Sequence, residues 1–269
     1  MVPFDLNGRV AVITGGGGVL CSVLAEGMAR EGVKCAIADI AEEKAKAIAA
    51  QIRKDGGDAE GFTCDVLDRN SVETCRDAVL ARFRQVDILI NGAGGNKPMA
   101  TTSEENKFFD MSADVIKWVF DLNLLGTIIP TQVFGKLFAE QNRGCVINIS
   151  SMSAFTPLTR TLAYSGAKAA VSNFTQWMAT HFNQEYSKNI RVNAIAPGFL
   201  HTQQNHYLLF DEAGNQTVRG KQIINHTPMG RYGQPEELIG AVIFLCSDAA
   251  SFVNGAVLPI DGAFQAYSI

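Results

Sequence analysis

A tyrosine and a lysine stand four residues apart in the stretch A-Y-S-G-A-K, at Tyr164 and Lys168. In a helix that spacing puts both side chains on one face, one turn apart. An ammonium beside a phenol favours the phenolate, so a tyrosine that ordinarily titrates near ~10 can exchange a proton at neutral pH. Upstream, Ser151 closes the strand-like run C-V-I-N-I-S-S and can hydrogen-bond the oxygen that receives the proton. Tyr-x-x-x-Lys is also short enough to be two surface residues of an ordinary helix. The elements around it must decide.

Two further features concern phosphate and ribose. Arg9–Thr14 is a β-branched run that ends in Gly15-Gly16-Gly17-Gly18 and is followed by an apolar-periodic stretch to about Arg30. A strand, a glycine loop and a helix in that order suit a dinucleotide's pyrophosphate, because glycines let the backbone approach and helix-start N–H groups face the anion. A plain glycine turn has the same composition. Asp39 ends the next strand, where a ribose 2′-hydroxyl needs an acceptor; its charge repels a 2′-phosphate and favours NAD over NADP. It can equally cap the following helix. Asn91-Gly92-Ala93-Gly94-Gly95 and Asp65-Val66 end two more strands on the edge where open α/β sheets bind ligands. Asn123, inside D-L-N-L-L-G, is a poor helix former in a helical stretch, which makes it a buried, satisfied amide or part of a polar relay.

These residues need a scaffold, and the hydropathy pattern supplies one. Near-continuous apolar runs at Val33–Asp39, Glu60–Cys64, Val86–Asn91, Gly144–Ser150, Ile190–Ala196 and Ala256–Ile260 alternate with helical stretches. The helices are expected at Glu42–Asp55, Asn70–Arg84 (capped by Asn70 or Ser71), Asp114–Glu140, Leu162–Tyr186 and Pro235–Ser247. Such alternation marks a parallel sheet covered on both faces. The expected fold is α/β: a single doubly wound Rossmann domain over residues 1–269, of about seven parallel strands with helices on both faces. Residues 95–112 read as a looping insertion. Residues 198–230 read as irregular and, being long, as a lid that closes over substrate.

Composition narrows the function classes. With 47% apolar and 19% charged residues the chain supports a sizeable core, and a net charge of −4 argues against a polyanion such as nucleic acid as partner. Six scattered cysteines without C-x-x-C, and four histidines without H-E-x-x-H, give no metal-site pattern and fit a reduced setting. No apolar run is long enough to span a membrane and the N-terminus has no secretory pattern. The expectation is a cytoplasmic protein that binds no metal, nucleic acid or membrane.

Taken in order, T-G-x-x-x at 14–18, D-V at 65–66, N-G-A-G at 91–94, Asn123, S-S at 150–151, Y-x-x-x-K at 164–168, P-G at 197–198 and D-G at 261–262 resemble the motif series of the classical short-chain dehydrogenases/reductases along nearly the whole chain. The resemblance implies an NAD-dependent oxidoreductase acting on CH–OH groups, with Asn123, Ser151, Tyr164 and Lys168 as its catalytic tetrad. By it, Tyr164 is the general acid/base and Ser151 holds the substrate oxygen. Lys168 lowers the phenol's pKa and binds the nicotinamide ribose, while Asn123 anchors a water. It also implies cofactor contacts from Gly15, Gly17, Gly18, Val19, Leu20, Asp39, Asp65, Val66, Asn91, Ala93, Gly94, Tyr164, Lys168, Pro197, Gly198 and Thr202. Val19 and Cys21 stand where the family usually has two more glycines. Gly16–Gly18 and the helix-start amides are therefore expected to take the pyrophosphate, and Cys21 to pack helix against strand.

Longer stretches, G-G-N-K-P at 94–98, F-D-L-N-L-L-G-T-I-I-P-T-Q-V-F from Phe120, N-I-S-S-M-S-A-F-T-P-L-T, S-N-F-T-Q-W from Ser172 and H-T-P-M-G-R-Y-G from His226, resemble the D-mannonate oxidoreductase (fructuronate reductase) branch. A sugar acid needs a cation for its carboxylate and several polar groups for its hydroxyls. Lys97, Ser153, Arg160, His201, Gln204 and Asn205 lie in loops on the expected substrate side. The rival substrates are gluconate oxidised at C5 or a neutral polyol, and the rival class is an NAD-binding redox sensor. The family resemblance also implies a homotetramer built through the long helices and last strand, with the tail from Phe264 reaching a neighbour.

Overall fold

The structure, a computed structural model, describes residues 4–202 and 205–268. The first strand, β1 (Val10–Thr14), leads through the glycine loop into α1 (Val19–Arg30). There follow β2 (Lys34–Asp39), α2 (Glu42–Lys54), β3 (Ala59–Thr63), α3 (Arg69–Phe83) and β4 (Ile88–Asn91). The second half runs α4 (Ala113–Phe120), α5 (Gly126–Glu140), β5 (Gly144–Ile149), α6 (Leu162–Glu185) and β6 (Ile190–Pro197). It ends with α7 (His206–Leu209), α8 (Val218–His226), α9 (Ile239–Cys246) and β7 (Val257–Ile260).

Every residue of β1 and β4 is buried, as befits strands covered on both faces. The strands form one sheet in the order β3-β2-β1-β4-β5-β6-β7, and every adjacent pair is parallel. After β3 the chain returns to the other side of β1, so the connections leaving β1 and β4 diverge and open a crevice at their carboxyl ends. One apolar cluster gathers α1, α2 and α9 on the sheet, and a second gathers α3, α5 and α6 on the opposite face.

Three local expectations are corrected. The cap of α3 is Asp68, whose carboxylate accepts from the Asn70 amide; the Ser71 hydroxyl instead accepts from the Asp65 amide at 2.9 Å. The helical stretch expected over Asp114–Glu140 widens at Asp121–Leu125 into π-helix, with Asn123 inside the wide turn. The stretch expected to be irregular contains α7 and α8, the latter capped by the Thr217 hydroxyl, which accepts from the Gly220 amide. Short polar helices of this kind carry too few periodic apolar residues to be read from pattern.

The tail does not extend away. Phe264 packs on Phe199 and His226, and Tyr267 packs edge-on to His226, so the described tail folds onto its own chain.

Candidate active site

A cleft of about 590 Å³ lies over the carboxyl ends of the strands, lined by Gly15, Gly17, Gly18, Val19, Leu20, Asp39, Asp65, Val66, Ala93, Gly94, Ser151, Tyr164, Pro197, Gly198, Thr202 and Asn205. At one end is the glycine loop. Gly15 adopts φ +62°, and a Cβ there would fall 2.8 Å from the Ala93 backbone. Helical Val19 needs no such backbone. The loop's own amides are spent: Gly16 donates to the Ala38 carbonyl, Gly17 to the Asp39 carboxylate at 3.0 Å and Gly18 to the Gly15 carbonyl. The amides of Val19, Leu20 and Cys21, in the first turn of α1, precede its first intrahelical hydrogen bond and are left without intrahelical partners. Of the two sets of donors expected to take the pyrophosphate, Gly16–Gly18 and the helix-start amides, the helix-start set is the one left open.

Asp39 accepts from Gly17 through one oxygen and from Ala41 through the other, at 2.9 Å, which fixes the carboxylate at the rim. It serves as both cap-like acceptor and cleft wall. The sequence reading missed Lys44, which lines the same end beside Asp39; a Cβ on Gly17 would touch its Cβ at 2.7 Å. Nothing in the local pattern of α2 distinguishes Lys44 from its charged neighbours. Cys21 packs as expected: a Cβ on Gly92 would overlap its sulfur. Burial pushes the Cys21 thiol up to about 12, so it stays protonated.

Tyr164 and Ser151 stand at the other end. Tyr164 opens α6, and its position one turn before Lys168 is the one the spacing predicts. Although the residue is half-buried overall, burial of its phenol raises the pKa above the ordinary tyrosine value, with a smaller lowering from its hydrogen bond with Ser151. Lys168 is buried, and its ammonium donates to the Ile149 carbonyl at 2.7 Å, 5.6 Å from the Tyr164 ring centre. Burial pulls its pKa down to about 8. The expected lowering of the phenol by Lys168 is thus not realised here, because the ammonium is turned to a carbonyl and is itself poorly solvated.

Asn123 is fully buried and satisfied. Its amide donates to the carbonyls of Gly95 and Val119 at 2.8 Å each, and its oxygen accepts from the Gly95 amide at 3.1 Å. Gly94 is the hinge of this corner, since a Cβ there would come 2.7 Å from the Asn123 side-chain oxygen and 3.3 Å from the Lys168 ammonium. Asn91 lies below the cleft rather than in its wall. Its amide nitrogen donates to Thr131 and to Asn148, each at 2.9 Å, tying β4 to α5 and β5.

The expected substrate residues separate. Asn205 lines the cleft and, like Thr202, is held in a short hydrogen-bonded turn. Ser153 is buried with its hydroxyl unpartnered, its amide donating to the Ser151 hydroxyl at 3.2 Å. Lys97 spends its ammonium over the Trp118 ring, 3.5 Å from the centre. His201 pairs with His206, ring nitrogen to ring nitrogen, at 3.1 Å. Arg160 is exposed, with a left-handed backbone at φ +74°. Gln204 lies outside the described residues. Among the described residues no group of three or more His, Cys, Asp or Glu side chains converges, and no helix is long and apolar enough to cross a membrane.

A doubly wound parallel sheet with this motif order and this cleft defines a short-chain dehydrogenase/reductase, and sequence comparison agrees. The family profile described as enoyl-(acyl carrier protein) reductase matches residues 20–265. The chain belongs to the classical short-chain dehydrogenase/reductase family and is an oxidoreductase. It is 46% identical to the uncharacterized oxidoreductase UxuB of Bacillus subtilis, over 100% of this chain and 99% of that one. A crystal structure from Haemophilus influenzae, whose working name is D-mannonate oxidoreductase and which holds NAD, superposes with a TM-score of 0.93 at 47% identity, covering 98% of this chain and 97% of that one. A gluconate 5-dehydrogenase from Burkholderia cenocepacia, in complex with NADP and tartrate, gives 0.87 at 32% identity, with 98% of both chains covered.

Proposed function

We propose that the protein is an NAD-dependent dehydrogenase of a sugar acid, interconverting D-mannonate and D-fructuronate. The observation that carries this reading is that Tyr164 and Ser151 line the same cleft as the glycine loop and Asp39. The cleft suits a dinucleotide: Gly15 and Gly17 leave no room for side chains, helix-start amides are open, and Asp39 offers a carboxylate at the far rim. Val19 and Leu20 would hold the pyrophosphate, Asp39 the adenosine ribose, and Asp65 and Val66 the adenine. Lys168 would hold the nicotinamide ribose. When bound, NAD supplies the hydride acceptor for the alcohol carbon.

Ser151 holds and orients the substrate oxygen. Tyr164 takes the hydroxyl proton as the alcohol is oxidised and returns it when the ketone is reduced. Because burial holds the phenol protonated at neutral pH, Tyr164 is poised as the acid of the reductive direction. Asn123 fixes the Gly95 backbone beside Lys168. The stretch 198–230 acts as the lid of a single domain, and the chain assembles as a homotetramer.

The sugar-acid assignment draws support from the Haemophilus relative and from the gluconate 5-dehydrogenase, whose likeness also favours gluconate oxidised at C5 as a second reading. Purified protein with NAD, offered D-mannonate, D-gluconate and a neutral polyol in turn and followed by NADH absorbance, tests the choice. Turnover of D-mannonate ahead of the others is expected; turnover of the polyol alone overturns the assignment. In the same assay Asp39→Ala should weaken NAD about tenfold while leaving NADP unchanged or improved, since one charge-assisted ribose contact is lost and a repulsion removed.

A further inference from the structure

Loop 155–161 meets the insertion 95–112 at the Thr102–Arg160 hydrogen bond and meets α8 at Arg219, so two arginines sit at one junction. Arg219, in the first turn of α8, reaches across to loop 155–161 and donates to the Thr159 hydroxyl at 3.0 Å. Its neighbour there is Arg160, whose carbonyl accepts from the Thr102 amide of the insertion at 2.9 Å. Leu158 packs with Leu209 and Ile223 of α7 and α8, and its amide donates to the Ser165 hydroxyl in the first turn of α6. The loop is therefore clamped between the lid and the helix that carries Tyr164. Only four residue steps separate Arg160 from Tyr164, a span of at most about 14 Å.

The electrostatics at this point are unbalanced. Among the described residues Arg160, Arg219, Arg84 and Arg191 join no ion pair, whereas Arg9, Arg30, Arg53, Arg69, Arg76, Arg82, Arg143 and Arg231 each do, and Arg191 spends its guanidinium on the Leu245 and Ser247 carbonyls. Arg219 is half-buried, and burial together with the charge of Arg160 disfavours its guanidinium, whose pKa is lowered. Two neighbouring cations, one of them partly desolvated and without a counter-ion, form a site that an anion completes. Lys97, the other basic residue expected on this side, is occupied by Trp118.

We infer that Arg219, braced by Thr159 and paired with Arg160, is the residue of the lid that binds the carboxylate of the substrate. This rests on the sugar-acid reading and adds to it the group that recognises the acid. A guanidinium suits the task because its fork offers two parallel N–H donors to a carboxylate. The substrate hydroxyl to be oxidised then lies at Tyr164 and Ser151, with the acid end toward α8. Closing the lid and binding the acid become one event.

The test compares D-mannonate with D-mannonamide, its neutral isostere, in the wild type and in Arg219→Gln, Arg219→Lys and Arg160→Gln, with NADH binding measured as the check on folding. Expected is a rise in KM for D-mannonate of about 10- to 100-fold in Arg219→Gln, a smaller rise in the other two, near-constant kcat, and little change toward the amide. The preference for acid over amide should collapse. Wild-type turnover of D-mannonate with an unchanged KM in Arg219→Gln overturns this inference alone. Equal losses for acid and amide also overturn it, by showing a packing role. A wild type that neither binds nor oxidises any hexonate removes the sugar-acid reading and the subsite with it.

Discussion

The phenol of Tyr164 and the ammonium of Lys168 are both taken out of water, yet their protonation moves in opposite senses: burial raises the first and lowers the second. Tyr164→Phe removes the phenolic hydroxyl that lines the cleft with Ser151. Turnover should fall by about 10²–10⁴-fold with NADH binding intact; ordinary activity by stopped-flow or steady-state assay would mean that another group moves the proton. Lys168 makes a prediction about stability. Its folded pKa of about 8 lies below the ordinary lysine value of 10.5. Between those values the unfolded chain holds a proton that the folded one has shed, so stability rises with pH across that window. Below pH 8 the cost of burying the charge is present in full. Lys168→Met lacks that cost, so its advantage in urea unfolding should be largest below pH 8 and shrink by about 3 kcal/mol as pH rises through 8 to 10.5. A pH-independent difference would show that the ammonium stays solvated.

Two elements bring these groups together, the loop after β4 and the wide turn between α4 and α5. Gly94 sits between them, and Gly94→Ala would drive a methyl to 2.7 Å from the Asn123 oxygen and 3.3 Å from the Lys168 nitrogen. The variant should lose about 1–3 kcal/mol of stability and most of its turnover. Gly95→Ala, whose Cβ meets nothing within 4 Å, should fold as the wild type does; equal thermal midpoints for the two variants would dismiss the close approach. Such a corner is only half legible in sequence. The strands were, because β1, β2, β4 and β5 are apolar runs with one periodicity, and Tyr164 with Lys168 followed from helix spacing alone. The π-turn was not, since an Asn in a helix signals only a local conflict, and what resolves it is the Gly95 backbone 28 residues away. Nor was the fate of Lys97, which depends on Trp118 from a different element. The helix-start amides were expected from the strand–glycine–helix order, but that Gly16, Gly17 and Gly18 spend theirs within the protein needed the structure.

At the scale of the molecule, an apolar groove stands open among the described residues. A groove of about 780 Å³ runs between α5 and α6, lined by Ile128, Gly135, Phe174, Trp177, Met178 and Tyr186 among others. Trp177 is 55% exposed and stacked on His181. A continuous apolar face of this extent on two long helices suits helix-on-helix burial against a second copy, with small Gly135 letting the backbones come close. The edge strand β7, half-buried along its length, supplies a second such surface. The proposed homotetramer uses both. Its consequence is that Trp177→Glu, which puts a charge into the first interface and removes a large ring from it, should cut the assembly to dimers held through β7 while leaving the cleft of each subunit unaltered. Light scattering coupled to gel filtration reads the mass directly. A wild type that runs as a monomer at micromolar concentration, or a variant of unchanged mass, would mean that α5 and α6 do not form an interface.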